Sequence, residues 1–191
     1  MYTTLILSTL SALTIASPLV KRQASEPDSA SSWTAAPGFK TTCDTSSDKV
    51  INLSAGAELD TLINDACAAM MPPCAYQDRL PAGTACILPT TWPLSGPVES
   101  KQSAKTKSAQ GSEESESKVK FSVTPAQQPE GSAGVFWSKE ECYGYFAQVL
   151  EKQESEGGCH SDKGLGLGKI TAGGDTSLKD TVFEVSIAAA E

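Results

Sequence analysis

Six cysteines constrain this 191-residue chain more than any other feature: Cys43, Cys67, Cys74, Cys86, Cys142 and Cys159. All of them follow an apolar leader, and an even number in an exported chain reads as three disulfides. Six cysteines admit 15 pairings, and spacing does not choose among them. Zinc is the poorer reading, because the chain has one histidine, His160, and no Cys-x-x-Cys pair, and the compartment is oxidising. No cofactor and no metal site is expected.

Residues 1–17 read as a signal peptide. The apolar stretch from Leu5 to Ala16 is about a dozen residues, shorter than the roughly 20 that a membrane-spanning helix needs. Ala16, Ser17 and Pro18 suit a peptidase site near residue 17. The alternative, a buried N-terminal helix, is weaker, because no other stretch of the chain would need so greasy a cap. Residues 18–22 form a pro-segment ending in Lys21-Arg22, the one dibasic pair in the chain. Its position resembles the site used by kexin-type proteases of the fungal secretory pathway. Cleavage there leaves Gln23 as an N-terminus that can cyclise.

Processing removes two of the 15 basic residues and none of the 23 acids, leaving a net charge of −10. That balance disfavours nucleic acid and anionic membrane as partners. No second apolar run is long enough to span a bilayer. The expectation is a secreted, extracellular monomer whose partner is an extracellular protein or a glycan. Asn52-Leu53-Ser54 is an N-glycosylation acceptor, with an unused sequon as the alternative.

Residues 23–42, rich in Ser, Ala and Pro, read as a flexible arm, pinned by Trp33 or Phe39. A single disulfide-bonded domain is expected over 43–191. Lys49 to Leu53 is a strand candidate. Leu59, Leu62, Ile63, Ala66, Cys67 and Met70 recur at helical spacing, and Pro72-Pro73 stops that helix. Residues 74–98 are turn-rich. Residues 99–118 contain no large apolar side chain and read as a mobile insert. Val119, Phe121 and Val123 alternate as a strand. Ser138 and Glu141 form a capping box, with Trp137 as the staple, ahead of a helix that buries Cys142, Tyr145, Phe146, Val149 and Leu150. Strands near 166–171 and at Phe183, Val185 and Ile187 complete the order. The fold class expected is α+β. It would be a two-layer sandwich with two helices on one face of a mainly antiparallel sheet, ferredoxin-like or built of two related strand–helix–strand halves.

The residues that carry chemistry are few. His160 stands in a Gly-rich turn with no Gly-x-Ser-x-Gly to partner it, and a lone loop histidine is surface by default. Gly164 to Lys169 hints at a phosphate loop, but Ile170 follows the Lys where a Ser or Thr is needed. A glycine-rich hairpin arm fits better. Glu58, Asp60, Asp65, Glu140 and Glu141 mostly sit on polar helix faces, where solvation accounts for them. A catalytic carboxylate pair would also want an aromatic cleft, and three Trp and four Tyr offer little for one. No catalytic residue is assigned, and a non-enzyme is expected.

Leader, dibasic site, paired cysteines and acidic body together resemble the small secreted cysteine-containing proteins of fungi, effectors among them. The element order over residues 48–187 is also similar to that of the killer-toxin-like α/β sandwich effectors. The resemblance implies a secreted, non-catalytic, virulence-associated glycoprotein that acts on a host through surface binding. The alternatives are a toxin-like antimicrobial protein, an inhibitor of a hydrolase using a loop within 76–98, and a small glycan-active enzyme.

Overall fold

The apolar stripe over 59–70 does become a helix, α1 (Ala57–Met70), with Leu59, Leu62, Ile63, Ala66 and Cys67 buried along one face. The second helix, α2 (Lys139–Glu151), starts at the expected capping box. The Glu141 N–H donates to Ser138 Oγ at 3.1 Å, and the Ser138 N–H donates to Glu141 Oε2 at 2.7 Å. Two otherwise unpaired backbone donors are thereby satisfied, worth about 1 kcal/mol of helix stability. Tyr145, Phe146, Val149 and Leu150 are buried. These assignments come from a computed structural model that describes residues 33–53, 56–87, 89–111 and 113–189. The leader, the pro-segment with Lys21 and Arg22, and the arm up to residue 32 lie outside the described residues.

Among the described residues, ten strands form two sheets. β1 (Lys40–Cys43) and β2 (Lys49–Ile51) precede α1, while β3 (Trp92–Pro93), β4 (Val98–Ser108), β5 (Glu114–Thr124) and β6 (Phe136–Trp137) lie between the helices. β7 (His160–Ser161), β8 (Gly164–Leu165), β9 (Gly168–Thr171) and β10 (Val182–Ile187) follow α2. The large sheet runs β1-β9-β10-β5-β4-β2-β8-β7 and curls into a half-barrel, with every neighbouring pair antiparallel; β3 and β6 form a separate two-stranded piece. The α+β class is therefore right. The ferredoxin-like arrangement is not what the order gives. In a split βαβ unit a third strand separates the two that flank the helix. Here β2 and β4, the large-sheet strands before and after α1, pair directly, whereas β5 and β7, those before and after α2, are separated by three strands.

The largest departure from expectation is at 99–118. The segment expected as a mobile insert forms the centre of the sheet, where β4 and β5 are 11 residues each and Val98 to Lys107 pair in continuous register with Val123 to Glu114. Low hydrophobicity misleads here for a physical reason. A strand with one solvated face needs inward residues only at alternate positions. The inward set on β4 is small: Ser100, Ala104 and Thr106 are buried, so α1 can approach the strand closely. Thr106 Oγ1 is satisfied by the Ser115 carbonyl (3.1 Å) and the hydroxyls of Ser115 (3.1 Å) and Ser117 (2.8 Å). Ladder hydrogen bonds then supply what apolar burial does not.

The arm is ordered earlier than Cys43 as well. Trp33 packs edge-on against Tyr145, ring centroids 4.8 Å apart, and lies so close to Gly144 that a Cβ there would come within 2.1 Å of the indole. Phe121, Phe146 and Phe183 form the centre of the core, with Phe146 edge-on to Phe121 at 5.1 Å and to Phe183 at 5.6 Å. All six cysteines pair, as Cys43–Cys159, Cys67–Cys142 and Cys74–Cys86. Cys67–Cys142 joins the buried faces of the two helices.

Two stability predictions follow from this packing. Phe146→Ala should cost about 3–5 kcal/mol, because the ring is fully buried and its removal leaves a cavity; a denaturant midpoint equal to that of the parent would refute the core assignment. The double substitution Cys67→Ala, Cys142→Ala should cost about 2–5 kcal/mol, measured by urea unfolding, and a thiol assay on denatured, unreduced parent protein should read zero.

Candidate functional site

The eight-stranded sheet ends in short strands, β8 and β7, and the ends of neighbouring elements form a polar cleft of about 670 Å³ beside them. Its floor comes from Ile51, Asn52 and Leu53 at the exit of β2 and from Lys105, Lys107 and Glu114 on the central hairpin. One wall is Glu58 at the start of α1. The other is the turn after α2, Gln153 to Ser155, with His160, Ser161, Asp162 and Gly164 of the β7–β8 hairpin.

This wall is held rigidly. Cys43–Cys159 ties its first strand to β1. The His160 N–H donates to the Lys152 carbonyl at 2.9 Å, and the Cys159 N–H to the Val149 carbonyl at 2.7 Å. Gly166 lies against the Cys159 carbonyl, where a Cβ would come within 2.0 Å. The glycine-rich run from Gly164 to Gly168 thus serves close backbone packing and the turn from β8 into β9.

Behind the wall a polar cluster links the two helices. The Tyr143 hydroxyl of α2 donates to Asp60 Oδ1 of α1. Burial, and then this hydrogen bond to a carboxylate, push the Tyr143 phenol well above its ordinary range. Two helical turns along α2, Glu151 is half-buried, and its carboxyl is raised by burial first and by the Asp60 charge second, against weaker pulls from Lys152 and His160. His160 joins cluster and cleft, its Nδ1 lying 3.2 Å from the Glu151 carbonyl oxygen. A carbonyl oxygen only accepts, so this bond requires a proton on Nδ1.

Of the residues singled out from the sequence, the structure brings His160, Asn52 and Glu58 to one cleft. Asn52 Nδ2 donates to Glu114 Oε1 at 2.7 Å, so the candidate glycosylation position lies on the cleft floor. Asp60 is held by Tyr143, Asp65 pairs with Arg79 at 2.7 Å, and Glu141 caps α2. Lys105, Lys107 and Glu114 were missed because they lie in the segment expected as mobile. Tyr143 and Glu151 were missed because helical spacing shows which face they share but not what opposes it. The loop of 76–98 is closed at its start by Cys74–Cys86, and Ile87 beyond it is 96% exposed. Its base is attached through Tyr76, whose ring lies 5.0 Å from the Arg79 guanidinium and 4.8 Å from the Lys139 ammonium. No family model, no curated protein and no solved structure matches the chain.

The raised Glu151 carboxyl has a defined consequence for stability. The folded form holds this proton more tightly than the unfolded chain does, so its contribution is present at low pH and is lost as pH rises through the raised value. Glu151→Gln should therefore raise the melting temperature at about pH 7 and leave it unchanged near pH 4. A gain of equal size at both pH values would show that the carboxyl is not under electrostatic strain.

Proposed function

We propose that this chain is a secreted, non-catalytic binding protein that engages a polar extracellular ligand, a glycan or a hydrophilic protein segment, through the cleft between the central hairpin and the β7–β8 wall. The observation that carries the reading is the construction of that cleft. Hydrogen-bonding groups of both signs, Lys105 and Lys107 against Glu58, Glu114 and Asp162, project from strands, from the first turn of α1 and from a hairpin locked by Cys43–Cys159. Groups held in place before binding lose little entropy when a ligand arrives, which favours recognition of a polar surface.

Export fits the same picture. A leader and dibasic site precede the domain in sequence, three disulfides cross-link it, and no helix among the described residues is long and apolar enough to cross a membrane. The resemblance to small secreted fungal proteins makes a host-directed effector the biological setting of this reading. A second reading, a hydrolase inhibitor, is favoured by the disulfide-closed loop that ends in exposed Ile87.

The test is binding of the purified, oxidised protein to an oligosaccharide array and to hydrolases of the host extracellular space. The cleft reading expects a ligand whose binding falls at least about tenfold in Glu114→Ala, Asp162→Ala with the melting temperature held. Inhibition abolished by Ile87→Asp would favour the inhibitor. Turnover of a polysaccharide by the parent, lost in the cleft variant, would overturn the non-catalytic reading.

A further inference from the structure

The cleft floor holds one atom whose chemistry ligand binding leaves unused. Asn52-Leu53-Ser54 is the one Asn-x-Ser/Thr sequon of the chain, and a glycan on such a site is joined to the asparagine Nδ2. That nitrogen donates to Glu114 Oε1 at 2.7 Å, and both residues line the cleft. The fold therefore carries the attachment atom to the floor of a recess, whereas a glycan on an outlying loop would stand clear of other surfaces.

The local geometry accommodates the modification. Asn52 is half-buried, and its side-chain nitrogen carries two hydrogens. Glycosylation replaces one of them with the anomeric carbon of the first N-acetylglucosamine, and the other remains to donate to Glu114. The order of events matters as well. Transfer acts on the extended chain as it enters the secretory compartment. Glu114 lies 62 residues further on and reaches Asn52 only once the β4–β5 hairpin has paired with β2. Hairpin and β7–β8 wall thus close around a sugar already in place. Its way out leads past Lys105, Lys107, Glu58 and His160. The space there, about 670 Å³, lies within the roughly 300–1,000 Å³ of small-ligand sites.

We infer that Asn52 is glycosylated and that its glycan occupies the cleft, so that the modification decides whether the cleft is open to an external ligand. In the transfer step Asn52 Nδ2 attacks the anomeric carbon of an oligosaccharide carried on a lipid pyrophosphate. The N–C bond forms, the C–O bond to the pyrophosphate breaks, Nδ2 gives up one proton, and nothing is oxidised or reduced. Joined to the floor, the first sugars meet the lining groups at an effective concentration on the order of mM, so contacts too weak to hold a free sugar hold this one. Their hydroxyl and acetamido groups match a lining that offers both donors and acceptors. An external ligand has to displace the tethered one. Control of binding rests on the reading of the cleft given above; the position of the glycan does not.

The test uses the full chain secreted from a host that performs N-glycosylation, next to Ser54→Ala, which removes the sequon and keeps Asn52 and Glu114. Intact mass should show a glycan containing N-acetylhexosamine on the parent and none on the variant. Brief acetylation of the native proteins, read by peptide mass, should label Lys105 and Lys107 several-fold less in the glycosylated parent than in Ser54→Ala. Lys163 and Lys179, which do not line the cleft, should be labelled equally in both. An array oligosaccharide bound through the cleft should bind Ser54→Ala at least about tenfold more tightly than the parent glycoform. Circular dichroism melts establish folding, and Asn52→Gln is the second glycan-free form if Ser54→Ala is unfolded. An unmodified parent overturns the inference, as does equal labelling of Lys105 and Lys107 in the two forms. Protected lysines with equal oligosaccharide binding overturn the control of binding. Protected lysines with no oligosaccharide bound to either form support the position of the glycan and overturn the cleft as an oligosaccharide site.

Discussion

The antiparallel ladder between β4 and β5 is the constraint on which the rest depends. Its register decides which side of the hairpin faces α1 and which faces solvent, and a slip of one residue would exchange the two. One parity places Ser100, Ala104 and Thr106 inside, with Val119, Phe121 and Val123 across from or beyond them. The other parity places the lysines and glutamates outside. Core, cleft floor and charged face are three consequences of one pairing.

Around that ladder the chain closes by aromatic packing and covalent ties. Phe121 on β5, Phe146 on α2 and Phe183 on β10 meet edge-on, so the second helix is seated over two neighbouring strands of the large sheet. Cys67–Cys142 sets the first helix against the second. Cys43–Cys159 spans 116 residues and joins the opening strand to the cleft wall. Long loops closed in this way remove the most freedom from the unfolded chain, which suits a domain whose central strands bury so few large side chains.

The polar surfaces arise where the helical layer stops. At the β8–β7 end the strands are two residues long, and groups projecting from several elements are left facing a common space. His160 and Glu151 belong to the boundary between this space and the interior. Burial raises the Glu151 carboxyl, while the histidine ring is turned toward a backbone carbonyl. On the open sheet face the described side chains are mostly charged or polar and exposed.

How much was legible in the sequence differs from element to element. α1 and α2 were readable because their buried residues recur every three or four positions, and the capping box because it is a contact within four residues. β5 beyond Val119 and β10 were readable from alternation of large apolar residues. The hairpin at 99–118 was not, because Ser, Ala and Thr are inward residues only when a helix covers them, and no local pattern states that. By itself the sequence determined the two helices, the cap of the second, the likeness to an exported chain and the pairing of cysteines as a set. Only the tertiary structure decided which cysteines meet, that a polar segment is the centre of the sheet, and that His160, Asn52, Glu58 and Glu114 share a cleft. The physical reason is range: helical periodicity and capping act within one or two turns, whereas disulfide partners lie 12 to 116 residues apart and β1 pairs with β9 from the far end of the chain.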